Sequence, residues 1–119
     1  MLDEPITLRP ADARRARTTV RKRMAERGID GEHIDTVEAV VAELLGATIE
    51  SGLQGSARLM LESFPLLTSV RLRCSRDVQV RDEPFGLRDR VLERLTTAAG
   101  KRANADGTTD LFAEIPHTA

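Results

Sequence analysis

The sequence contains no tryptophan and no tyrosine, and its aromatic content is three phenylalanines, Phe64, Phe85 and Phe112. Single-stranded nucleic acid is commonly held by stacking bases on aromatic faces, so that mode of binding is excluded as a main activity. Cys74 is the only cysteine, which excludes an internal disulfide framework and a cysteine-clustered zinc site. His33 and His117 lie far apart in sequence, and no metal is expected. No run of about 18 apolar residues occurs, and the opening "MLDEPITLRP" lacks a basic region followed by an apolar stretch. A cytoplasmic location with no membrane partner is therefore expected. A formal net charge of -1 gives no general attraction to nucleic acid or an anionic surface, so any charged partner must be recognised locally.

What is present is enough for one core. A chain of 119 residues, 40% of them hydrophobic, accommodates a single domain, expected over residues 1–116 with 117–119 as a tail. After a short apolar alternation at Ile6 and Leu8, "RPADARRARTTVRKRMAERGID" carries Ala13, Ala16, Val20 and Met24 at helical spacing. Asp12 is expected to accept from free backbone N–H groups in the first turn, and Gly28 to stop the helix. The other faces carry six arginines and Lys22 between positions 14 and 27. A second helix is predicted from about Asp30 to Gly52. Ile34, Val37, Val41, Leu44 and Thr48 share one face, widened by Val40, Leu45 and Ile49, so this helix should be the more deeply buried. Gly46 inside it points to close packing or a ligand's approach.

The period then changes. "SARLMLESF" and "SVRLRC" alternate as an antiparallel pair of strands joined at "PLLT". "SRDVQVRDEPFG" reads as a loop to which Val78 and Val80 could add a few strand residues. "GLRDRVLERLTTAAGK" is predicted as a helix with Leu87, Val91, Leu92 and Leu95 inward, ending at Gly100. "ANADGTTDLFAEIP" supplies a turn and a last strand with Leu111, Ala113 and Ile115 on one face. The fold class that follows is an α+β two-layer sandwich. It has a mostly antiparallel mixed sheet of about four or five strands, covered on one face by three helices.

This order of phrases resembles the histidine kinase-like (GHKL) ATPase domain, shared by histidine kinases, gyrase-type ATPases and bacterial anti-sigma factor serine kinases. The likeness spans nearly the whole chain and is greatest to the short anti-sigma-like members. "ITLRPADARRARTTVRKRMAERGI" is similar to their opening strand and helix, "VEAVVAELLGATIESG" to the helix of their asparagine motif, and "FGLRDRVLERL" with "DGTTDLFAEIP" to their closing helix and strand. The resemblance implies a Bergerat-like sheet with a shortened ATP lid.

In that family the central helix carries a glutamate and, four residues later, an asparagine that holds magnesium against the phosphates. Glu43 matches the first position and Ala47 the second. A methyl group cannot coordinate a hard cation, which needs oxygen ligands. The family's adenine-binding aspartate is matched by Asp77, or by Asp82 within "DEPFG", where Pro84 replaces a glycine and removes a backbone donor. Only Gly86 and Leu87 correspond to the family's second glycine cluster, whose N–H groups meet the phosphates. Thr108 matches the threonine that supports the adenine-binding aspartate. The implied remnant pocket is thus Glu43, Ala47, Asp77, Asp82, Gly86, Leu87 and Thr108, with no catalytic residue, metal or cofactor expected and ATP as the ligand to test.

Three functions are compatible with these residues. The first is a non-catalytic regulatory domain that binds a sigma factor, an anti-sigma antagonist or a second copy of itself. The second is a nucleotide-binding enzyme with an altered site. The third, ranked last, is nucleic-acid binding through the arginine-rich first helix, with the steep salt dependence of phosphate contacts.

Overall fold

The computed structural model describes residues 1–50, 55–75 and 89–117. Along the chain run β1 (Leu2–Thr7), α1 (Pro10–Glu26), α2 (Gly31–Glu50), β2 (Ser56–Ser63), β3 (Leu67–Cys74), α3 (Asp89–Leu95), β4 (Ala98–Ala103) and β5 (Thr109–Pro116). The strands form one sheet in the order β1-β2-β3-β5-β4, and every neighbouring pair is antiparallel. The two-layer α+β sandwich read from the sequence is therefore the architecture, with the last strand inserted between β3 and β4.

Alternation in the strands decides which face of the sheet is covered. Leu2 and Ile6 of β1, Ala57, Leu59 and Leu61 of β2, Val70, Leu72 and Cys74 of β3, and Leu111, Ala113 and Ile115 of β5 are all buried. Register places them on one face, because Leu59 stands opposite Leu72 and Leu72 opposite Leu111. Onto this face packs α2, whose Ile34, Val37, Val40, Val41, Leu44, Leu45 and Thr48 are buried as its spacing predicts. Its Thr48 hydroxyl is accommodated in the core by donating to the Leu45 carbonyl at 2.8 Å. The first helix lies against α2 and β1 through Val20 and Met24, with Ala13 and Ala16 partly buried.

The termini of α1 are built differently from one another. Gly28 is left-handed at φ 72°, its N–H donates to the Ala25 carbonyl, and the Ile29 N–H donates to that of Met24. That double closure is a glycine-based helix stop, as expected. At the other end Asp12 does not cap. The N-cap is Arg9, which makes no side-chain cap bond, and Pro10 opens the helix, where its missing N–H costs nothing. The Asp12 carboxylate instead accepts from the Arg15 guanidinium at 2.6 Å and lies 3.5 Å from Arg9.

The stretch predicted as helix to Gly100 is also corrected. The last helix ends at Leu95, where the Thr96 N–H and hydroxyl both bond the Leu92 carbonyl and use up the turn. The Thr97 N–H then donates to the Glu114 carbonyl at 2.8 Å, and residues 98–103 continue as β4 along β5. Gly100 has its place there for a steric reason. A Cβ on it would stand 3.3 Å from Cζ of Phe112, whose ring lies across the neighbouring strand. Val78, Val80 and Leu87 lie outside the described residues.

His117, expected to begin a loose tail, is packed. Its N–H donates to the Leu66 carbonyl, and its ring stacks on His33 with centroids 3.8 Å apart. His33 is 4% exposed and its Nε2 is 2.7 Å from the Thr68 hydroxyl. Burial, and then the neighbouring His117, push the His33 pKa below its ordinary value, with only Asp30 opposing. A histidine favoured in its neutral form by folding contributes stability above its unfolded pKa of about 6.5, and that contribution is lost as pH falls. Thermal unfolding should therefore show a midpoint lower at about pH 5.5 than at about pH 7.5. In His33→Gln, which keeps a polar group beside Thr68, the difference should shrink, and an unchanged difference would assign it to other groups.

Candidate functional site

The site anticipated from the sequence begins on α2. Glu43 is half-buried on this helix, and Ala47 follows one turn later, so both backbone positions lie on the same helical strip. The residues on either side, Leu44, Leu45 and Thr48, face the core and fix the rotation of the helix. Glu43 is not without a polar partner. Asp77, Asp82, Gly86 and Leu87 lie outside the described residues, so the structure does not bring them into relation with Glu43.

Thr108 is the remaining anticipated residue, and its hydroxyl is committed locally. It is 2.6 Å from Oδ1 of Asp106 and accepts from Nδ2 of Asn104 at 3.0 Å, while the Thr108 N–H donates to the same Asp106 oxygen. With Gly107 at φ 91°, these bonds close the turn between β4 and β5. In this arrangement Thr108 has a complete structural role as the start of a strand.

Two polar arrangements were not singled out by sequence reasoning. Asp110, two residues beyond Thr108, is 2% exposed, and its carboxylate accepts two bonds from Arg73, at 2.8 and 3.0 Å. Burial raises the Asp110 pKa, but hydrogen bonds from Arg73 and Asn104, with the charges of Arg73 and Arg71, outweigh it and hold the carboxyl below its usual range. The signal was available only in outline, as a basic residue on β3 and an acidic one on β5 of matching strand parity. The second arrangement is the His33–Thr68–His117 cluster, in which Nε2 of His117 is buried with no hydrogen-bond partner among the described residues.

Cys74 is buried at the end of β3, where burial and then the charge of Asp110 push its thiol up to about 11. A thiol so rarely ionised is a poor nucleophile. Among the described residues no group of three His, Cys, Asp or Glu side chains is placed to hold a metal ion. None of their helices is long and apolar enough to cross a membrane.

The arginines of α1 are partly engaged within the fold. Arg15 pairs with Asp12, Arg21 bridges to Asp35 and Glu38 of α2, and Arg23 lies 3.7 Å from Glu4 of β1. Such exposed pairs are each worth about 0–1 kcal/mol; they offset part of the positive charge of α1, while the three side chains remain largely exposed to solvent. Two clefts lie away from the anticipated site. One, of about 370 Å³, sits at the start of α1 between Thr7, Arg9, Asp12, Arg15, Thr19 and Ser56. The other, of about 550 Å³, is on the helix-free face of the sheet beside Glu62, Phe64, Leu66, Arg71 and Glu114.

Compared with known proteins, the chain matches no family model and no curated protein.

The Arg73–Asp110 pair has a measurable consequence. Arg73→Ala leaves a buried carboxylate without its main partner, at a cost of about 1–3 kcal/mol, less than for a wholly buried pair because Arg73 still reaches solvent. Denaturant unfolding near neutral pH should show this loss. Because the folded pKa of Asp110 lies below its unfolded value, the pair stabilises above that value and the loss should narrow as pH falls below about 4. A variant as stable as the native chain would show that the pair carries no net weight.

Proposed function

We propose that the chain is a non-catalytic regulatory domain of the anti-sigma factor kinase type, controlling transcription by binding a sigma factor or an anti-sigma antagonist. One observation carries this reading. On α2, one turn beyond Glu43, stands Ala47, where phosphoryl transfer on such a scaffold requires an oxygen ligand for magnesium. A side chain that ends in a methyl group offers no lone pair to the cation. Phosphoryl transfer draws nearly all its rate from metal and positioned donors, so losing the metal ligand removes catalysis while leaving the scaffold free to bind other proteins.

Further support comes from the element order, in which two helices precede a strand pair and a third helix precedes the closing hairpin. The commitment of the Thr108 hydroxyl to Asp106 and Asn104 is in keeping with the same reading. A second reading, a serine kinase-like enzyme with an altered site, is favoured by one feature, the half-buried carboxylate of Glu43. Binding of nucleic acid through α1 has less support, since Arg15, Arg21 and Arg23 are already paired with carboxylates.

Titration calorimetry with ATP and with ADP, each with and without magnesium, separates the first two readings. The regulatory reading expects no heat of binding up to about 1 mM nucleotide. Magnesium-dependent binding that disappears in Glu43→Gln would establish the enzyme reading instead.

A further inference from the structure

The sheet ends at β1 on one side and β4 on the other, and the hydrogen bonds beside these strands show which backbone groups each turns outward. At the first edge the Leu8 N–H donates to the Gly55 carbonyl at 3.0 Å. The alternation of an antiparallel pair then bonds Leu2, Glu4 and Ile6 to β2 and turns Asp3, Pro5 and Thr7 outward. Pro5 has no N–H to offer, and the Thr7 carbonyl already accepts from the Arg9 N–H at 2.8 Å. A further strand finds little to bond there. At the other edge the Asn104 N–H donates to the Thr108 carbonyl at 2.9 Å, which continues the register of Ala103 with Thr109. The same alternation bonds Ala98, Gly100 and Arg102 to β5 and turns the N–H and C=O groups of Ala99, Lys101 and Ala103 outward. No described strand pairs with that side. Neither layer covers it either, because Ala99, Lys101, Arg102 and Ala103 are all exposed.

Two features select what can lie along β4. The strand carries Lys101 and Arg102 and no acidic residue. Asp110, directly across from Arg102, is bonded twice by Arg73, and among the described residues Arg102 forms no ion pair. The second feature is apolar. The Phe112 ring lies over Gly100, so near that a Cβ there would stand 3.3 Å from its Cζ, and the Arg102 guanidinium is 5.9 Å from the ring centre. Partly buried, the ring reaches the edge strand through the space that glycine leaves.

We propose that β4 receives an extended acidic segment of another protein as an added antiparallel strand. Backbone bonds to Ala99, Lys101 and Ala103 supply the affinity, and side chains on the two faces supply the choice. Acidic residues stand opposite Arg102 and Lys101, and an apolar residue opposite Gly100 lies against the Phe112 ring. Read from its N-terminus, the added strand therefore runs acidic, acidic, apolar. A second copy of β4 is disfavoured in this place, since it sets like charges side by side. The inference is independent of the reading given to Glu43 and Ala47, which lie on α2 in the helix layer.

The probe is a short synthetic peptide in which two adjacent glutamates precede an isoleucine within a frame of threonine and valine, titrated into the isotope-labelled full chain. It should bind with a Kd of about 100 μM. On binding, the amides of Ala99, Lys101 and Ala103 should exchange roughly tenfold more slowly, while those of Ala98, Gly100 and Arg102, already bonded to β5, should change little. Replacing both glutamates by lysine should weaken binding about tenfold, and Arg102→Glu should reverse that preference. Methylating the backbone nitrogen of the second glutamate, whose N–H faces Lys101, should cost about tenfold in affinity. Methylating the first, whose N–H points away from β4, should cost nothing. The altered peptides leave the protein unchanged, so they decide the matter if Arg102→Glu fails to fold. Absence of binding at about 1 mM peptide overturns the proposal, as does equal binding of the lysine peptide or an equal effect of the two methylations. Protection of the β4 amides that grows with protein concentration in the absence of peptide also overturns it, by making a second copy the occupant.

Discussion

The burial of one side of α2 against β3 and β5 is the constraint on which the rest of the structure depends. Seven residues between Ile34 and Thr48 are removed from water on this one helix. Each aliphatic side chain among them contributes about 1.5–3 kcal/mol of transfer free energy, an upper value because the unfolded chain also buries part of its surface. Among the described residues no other helix has this share of the core. The first helix leans on α2 and β1, and the last helix is short and bears on α2, β4 and β5. Because its buried face is so fully specified, α2 cannot rotate to present a different residue. What it offers beside Glu43 is decided by residue type alone, and at position 47 that type is alanine.

On the function proposed for this chain, a scaffold fixed by the buried face of α2 would persist without a metal ligand. The contacts that fix the helix come from its buried residues between Ile34 and Thr48. The polar groups that do stabilise the fold lie elsewhere. Arg73 and Asp110 tie β3 to β5 on the opposite face, and His33, Thr68 and His117 join the start of α2 to β3 and the end of β5. Phe64 and Leu66 at the β2–β3 turn are 47% and 81% exposed.

Much of the fold was legible where the sequence is periodic. Val37, Val41 and Leu44 reveal α2 through helical spacing, and Leu59, Leu61, Val70 and Leu72 reveal β2 and β3 through alternation, because local spacing is enough to assign a face. Gly28 was legible because a left-handed residue at a helix end favours glycine. The strand β4 was not legible. Thr97-Ala98-Ala99 lacks an apolar alternation and contains good helix formers, and what makes residues 98–103 a strand is pairing with β5. Asp12 misled for a related reason: its type suits a helix cap, but neighbouring Arg9 and Arg15 compete for the carboxylate. At the candidate site, Glu43 and Ala47 could be placed from helical spacing alone. The His33–His117 stack and the Arg73–Asp110 pair join residues distant in sequence, and no local pattern announces such partners.

The central claim is that α2 and the sheet form one cooperative unit that holds the Glu43 strip fixed. Native-state hydrogen exchange followed residue by residue tests it most directly. Amides of α2 from Val37 to Leu45 should exchange together with those of β3 and β5, at the free energy of global unfolding. If the α2 amides exchange well before the β3 and β5 amides, the helix opens independently, and the account of a core-fixed α2 is contradicted.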